Sequence, residues 1–90
     1  MEPITASHIL VETKEQAQDL YNQLTRGVEF SLLAQQHSKC PSGRNGGNLG
    51  QFHRGQMVPE FETAAFNCPL DTVVGPVQTA FGYHLIKRTA

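Results

Sequence analysis

Apolar positions recur along this chain at two spacings, one near two residues and one near three to four, and each predicts an element. Ile4–Val11 reads as a strand, with Ile9, Leu10 and Val11 supplying β-branched and apolar bulk. Thr13 followed by Gln16 matches a capping box at a helix start. Ala17, Leu20, Tyr21 and Leu24 then recur three or four apart, so this helix carries one apolar stripe. Gly27 closes it, because glycine takes positive φ after a last turn without steric cost. A shorter helix follows with Phe30, Leu33 and Ala34 on its buried side and Leu32 at its edge. Pro41 and the glycines beyond it end regular helix.

Leu49-Gly50-Gln51-Phe52 alternates apolar and small or polar positions, as a short strand does. Val58-Pro59-Glu60-Phe61 opens a third helix, with Pro59 in its first turn and Phe61, Ala65 and Phe66 at helical spacing. Ala64 allows a close contact, and Cys68-Pro69 ends the helix. Residues 73–77 and 83–86 read as two strands joined by a glycine-containing turn. The order predicts an α+β fold, with an antiparallel or mixed sheet covered by short helices. A parallel βαβ nucleotide fold fits less well, since its glycine-rich turn should follow the first strand directly, where a helix stands instead. Gly43-Arg44-Asn45-Gly46-Gly47 also lacks the GxxxxGK[ST] phosphate motif.

Composition narrows this picture. Ninety residues with 39% hydrophobic content make one small domain spanning 1–90, close to the size at which a single core becomes marginal. Seven basic and eight acidic residues leave a formal charge of -1, which excludes a generic electrostatic mode of nucleic-acid binding and gives no polybasic membrane anchor. Apolar runs never exceed three residues, as in Leu32-Leu33-Ala34, so no segment spans a bilayer. Cys40 and Cys68 allow one disulfide without requiring it, and Met1-Glu2-Pro3-Ile4 carries no visible signal peptide. A cytoplasmic, reduced protein is the expectation.

The chemistry-bearing residues are few. His8, His37, His53 and His84 form no HExxH, zinc-finger or facial-triad spacing, and spacing alone gives no support to a metal site of Cys40, His8 and His84. Cys40 invites a nucleophile hypothesis, but nothing in the sequence orients a histidine toward its sulfur or supplies an oxyanion hole. A small apolar residue capping a pocket ranks above it, and Cys68 reads as packing near the end of the third helix. No metal and no cofactor are expected.

A set of motifs in one order carries a resemblance over nearly the whole chain. His8-Ile9-Leu10-Val11 is followed by Gly27-Val28-Glu29-Phe30, Leu33-Ala34 and Ser38-Lys39-Cys40. Then come Gly46-Gly47-Asn48-Leu49-Gly50-Gln51-Phe52, Gly55-Gln56-Met57-Val58-Pro59-Glu60-Phe61-Glu62, Gly75-Pro76-Val77, and Thr79-Ala80-Phe81-Gly82-Tyr83-His84-Leu85-Ile86-Lys87. The set resembles the parvulin family of peptidyl-prolyl cis/trans isomerases. The resemblance implies a four-stranded antiparallel sheet surrounded by helices in the order βαααβαββ, with a helical turn around residues 41–44 that local propensity does not show. It implies that His8 and His84 lie side by side on central strands beneath a cleft, orienting the site through hydrogen bonds that Thr79 joins. Met57 and Phe61 would form the proline pocket, with Leu49 and Phe81 along its approaches and Phe52 completing the wall. Cys40 would act electrostatically or by hydrogen bonding near the twisted amide.

The reading of the residues alone stays open beside this: Met57, Phe52 and Phe61 also suit a core, and His8 and His84 also suit buried structural pairing. The implied activity is isomerisation of unphosphorylated Xaa-Pro bonds, with proline-containing peptides and unfolded or flexible proteins as partners. The segment matching the phosphate-binding cluster of some relatives is Glu12-Thr13-Lys14-Glu15-Gln16-Ala17, with one lysine against two glutamates, so no phosphate-specific partner is expected. A proline-peptide binding module, or a chaperone with weak catalysis, is the alternative.

Overall fold

The computed structural model describes residues 3–90. The chain runs β1 (Ile4–Val11), α1 (Lys14–Thr25), α2 (Phe30–His37), a 3-10 turn (Pro41–Asn45), β2 (Asn48–Phe52), α3 (Pro59–Asn67), β3 (Val73–Thr79) and β4 (Gly82–Arg88). The strands form one sheet in the order β2-β1-β4-β3, antiparallel throughout. This is the sheet and element order that the resemblance implies, including the turn after Pro41.

Local sequence sets the helix boundaries. Thr13 Oγ1 accepts the Gln16 N–H at 3.1 Å, satisfying an amide that the first turn of α1 leaves free. At the other end Gly27 takes φ +97°, and its N–H bonds to the Leu24 carbonyl at 3.0 Å. Pro59 opens α3 in its first turn, where its missing N–H costs nothing. The two final strands extend past the residues that alternation marks, because they pair with each other from Val73 opposite Lys87 to Thr79 opposite Gly82, with one irregularity between Val74 and Val77.

Side chains of a strand alternate between faces, and here both faces are covered. Ile9, Val11 and Leu85 pack with Ala17 and Leu20 of α1 and Phe30, Leu33 and Ala34 of α2. Ile4, Ala6 and Ile86 pack on the opposite face with Phe52 and with Phe61 and Ala65 of α3. β1 and β4 are central, so His8 and His84 lie in the middle of the sheet. His8 pairs with Ile86 and Leu10 with His84, which makes the two histidines diagonal neighbours on the α3 face.

Gly47 secures the return from the 3-10 turn to the sheet. Its carbonyl accepts the His8 N–H at 2.9 Å, its φ is +85°, and a Cβ there would meet the His8 carbonyl oxygen. No helix among the described residues is long and apolar enough to cross a membrane.

Candidate active site

The α3 face of the sheet holds a hollow of about 530 Å³, with His8 and His84 among its lining residues. β1 contributes His8 and Leu10, and β4 contributes His84. The chain after α2 adds Lys39, Cys40 and Pro41, and β2 adds Leu49. The loop before α3 brings Gln56, Met57 and Val58, α3 itself Phe61, and the β3–β4 turn Phe81. The lining is dominated by carbon.

His8 and His84 approach through their Nδ1 atoms at 3.0 Å, with the rings stacked at 5.1 Å and 18° apart in plane. A contact of that length needs one hydrogen between the two nitrogens, since two lone pairs would repel. His84 Nε2 meets Thr79 Oγ1 at 2.7 Å, and the same oxygen accepts the Phe81 N–H at 3.2 Å. The network therefore runs from the β3–β4 turn through Thr79 to both imidazoles. His8 Nε2 is buried and makes no hydrogen bond among the described residues.

Burial first, and His84 second, pushes the His8 pKa down from 6.5 to about 4. Burial likewise lowers His84. A charged imidazole loses hydration here that the apolar surroundings do not replace, so both rings are neutral near pH 7. The Phe61 ring stands nearly perpendicular to both imidazoles, at 5.4 Å from His8 and 5.2 Å from His84. It joins the histidine pair to the apolar wall.

Cys40 reaches the rim because its chain is stitched to β1. The Leu10 N–H bonds to Ser38 Oγ at 3.1 Å, and the Lys39 N–H bonds to the Leu10 carbonyl at 2.8 Å. The Cys40 sulfur accepts the Ser42 hydroxyl at 3.2 Å. No histidine hydrogen-bonds to it among the described residues, so the base that would activate a nucleophile is absent from this contact. Cys40 and Cys68 are both free thiols. No group of three or more His, Cys, Asp or Glu among the described residues is arranged to hold a metal ion.

The structure gathers His8, Cys40, Leu49, Met57, Phe61, Phe81 and His84 around one hollow, with Thr79 bonded to His84 just behind it. Phe81 stands at the rim with 70% of its surface exposed. Phe52 is the exception. It is buried beneath the hollow, packing against Phe61 at 6.2 Å and Phe66 at 5.9 Å, and so supports the wall without forming it. Its place on β2, opposite Ile4, puts its ring in the core. Leu10 joins the lining as well, a place legible from its spacing two residues after His8 on one strand face. Lys39, Pro41, Gln56 and Val58 carried no separate signal beyond adjoining Cys40 and Met57.

Residues 5–90 match the model of the PPIC-type PPIASE domain, the rotamase family. The Foldase protein PrsA of Halalkalibacterium halodurans is 49% identical over 87 residues, covering 96% of this chain and 26% of that protein. The crystal structure of the peptidylprolyl isomerase PrsA from Bacillus anthracis superposes with a TM-score of 0.96 at 45% identity, over 99% of this chain and 42% of that one. The solution structure of NmPin, the parvulin of Nitrosopumilus maritimus, gives a TM-score of 0.90 at 40% identity, over 100% and 98%. The chain thus spans only about a quarter of the first of these relatives but nearly all of the last. It belongs to the PPIC-type, or parvulin, family of peptidyl-prolyl cis/trans isomerases, and isomerase activity goes with that membership. The expectation of a cytoplasmic protein is overturned, because the PrsA foldases it matches are extracytoplasmic. Two free cysteines and a plain first few residues do not report a compartment.

Proposed function

We propose, from this membership, that residues 1–90 act as one isomerase domain that turns unphosphorylated Xaa-Pro bonds without bonding to them. Unfolded or flexible chains are its substrates. The observation that carries the reading is a carbon-lined hollow with a neutral, mutually hydrogen-bonded histidine pair in its lining.

The barrier to be lowered is that of amide rotation, about 20 kcal/mol, and it comes from resonance between the carbonyl and the proline nitrogen. A site lowers it by favouring the twisted bond over both planar isomers. Met57 and Phe61 hold the pyrrolidine ring and exclude water from it. As the bond twists, resonance fades, the nitrogen becomes pyramidal, the C–N link loses its partial double-bond character and the carbonyl regains full double-bond character. A dry wall withholds the water that would stabilise the polar planar amide. Cys40, with its thiol held by Ser42, and the imidazole pair, held by Thr79, present fixed dipoles to the changing carbonyl.

Two observations support the unphosphorylated, non-covalent version. Among the described residues lining the hollow, Lys39 alone is charged, and its ammonium is already bonded to Glu12. A dianionic phosphate would find little to pair with there. The Cys40 sulfur, in turn, is bonded to a hydroxyl and not to a base.

The test is NMR exchange spectroscopy on unphosphorylated Xaa-Pro peptides, with and without a chelator. Faster cis/trans exchange at an unchanged isomer ratio is the expected result. Binding without faster exchange would mark a proline-peptide binding module, and neither binding nor exchange would remove the assignment of the hollow as the active site.

A further inference from the structure

Met57, Gln56 and Val58 reach the hollow from a loop, residues 53–58, that has no regular structure of its own. Such a loop needs something to fix it if it is to present a binding wall. Glu62, in the first turn of α3, makes two contacts to it. Its Oε1 accepts the Gly55 N–H at 2.5 Å, and its Oε2 lies 3.5 Å from Arg54 Nη1. The Arg54 guanidinium also covers the Phe66 ring at 4.4 Å, so the arginine is held from both sides. Phe66 in turn packs on Phe52, beneath the hollow.

Gly55 is shaped for this contact. It takes φ +92°, and a Cβ built there would meet no atom within 4 Å, so backbone conformation and not space calls for glycine. Glu62 itself does not line the hollow.

We infer that Glu62 is a positioning residue for substrate binding: its carboxylate clamps the 53–58 loop to α3 and so sets Met57 against the proline ring. The inference rests on the proposed role of Met57. It places part of the affinity for substrate in a residue that never touches substrate.

The experiment compares Glu62→Ala, Glu62→Gln and Met57→Ala in this chain, by NMR titration with an unphosphorylated Xaa-Pro peptide and by amide hydrogen exchange. Glu62→Ala removes both contacts and is expected to weaken binding about tenfold, the lower end of what one charged hydrogen bond is worth. Glu62→Gln keeps an oxygen for the Gly55 amide and is expected to recover most of that loss, leaving about a twofold effect typical of an exposed ion pair. Amides 53–58 should exchange faster in Glu62→Ala while those of β1 and β4 keep their protection, a split that a general loss of stability would not produce. If Glu62→Ala binds within twofold of the parent while Met57→Ala binds weakly, the clamp is refuted and the pocket stands. If Met57→Ala binds normally, the pocket assignment fails and the clamp falls with it. Should Glu62→Ala not fold, Glu62→Leu, which fills the space but offers the Gly55 amide no acceptor, carries the same comparison, and parent-like loop exchange and binding in it would overturn the inference.

Discussion

On the face covered by α1 and α2, the central strands present Ile9, Val11 and Leu85, each with no exposed surface. One residue away on the same strands, His8 and His84 point to the α3 face and are nearly as buried, at 5% and 4% exposure. Burial is thus almost equal on the two sides, but its consequences differ. The first side gains from every methylene removed from water. The second removes polar groups from water and recovers their hydrogen bonds only in part, through Nδ1 to Nδ1 and through Thr79. The α1 and α2 side is hydrocarbon throughout, whereas the α3 side sets the imidazoles beside its own apolar cluster of Ile4, Ala6, Phe52, Phe61, Ala65 and Ile86. The side that carries the two imidazoles gives up stability to keep a neutral, oriented pair in the lining of the hollow, as functional sites commonly do.

The difference can be broken most forcefully on the hydrocarbon side. Leu20→Ala is expected to cost about 2–5 kcal/mol of unfolding free energy, by lost transfer and residual cavity. Isomerase turnover per folded molecule should stay close to that of the parent. Urea unfolding, paired with peptide exchange under conditions where the variant is folded, checks both halves. A turnover loss in the folded fraction would show the two faces to be coupled.

Acidification acts on the other side. The folded His8 pKa lies near 4 against 6.5 for an unperturbed imidazole, so the folded state resists a proton that the unfolded chain accepts. The contribution is complete above pH 6.5 and is lost as pH falls from there toward 4. Its slope reaches at most about 1.4 kcal/mol per pH unit for one proton, and His84 adds in the same direction. Unfolding curves across that window should show stability falling with pH, and a His8→Phe variant should flatten the fall. A fall unaltered by this replacement would place the acid sensitivity elsewhere.

The smallest effect is expected at the rim. Cys40→Ser keeps a small group able to hydrogen-bond, and turnover within about threefold of the parent is expected if the thiol acts only by local polarity. Near-complete loss of turnover with binding and fold intact would reopen the covalent account. Stability should scarcely move, since Cys40 is only half-buried.

Much of the fold was legible from residue order. The Thr13–Gln16 pair, the stripe from Ala17 to Leu24, and Gly27 are local signals. Thr13 caps α1 by the half of the capping box that its own side chain supplies, the stripe packs on the sheet, and Gly27 closes the last turn. The 3-10 turn after Pro41 had no such signal and was implied only by the family likeness. Most of the candidate site was legible in the same way, through motifs matched to a family, with Phe52 placed in the wall when its ring lies in the core.

What sequence determined by itself were the elements, because caps, glycines and apolar spacing act within a few residues. Membership of the family was legible too, in the order of the motifs. Tertiary structure alone decided the rest. Diagonal pairing of β1 with β4 brought residues 8 and 84 to 3.0 Å, and the packing of α3 on that face made Phe61 their neighbour. It also folded Glu62 back onto Gly55 across a loop. These contacts depend on strand register and helix docking, which are set by the whole core, and no short stretch of chain encodes them.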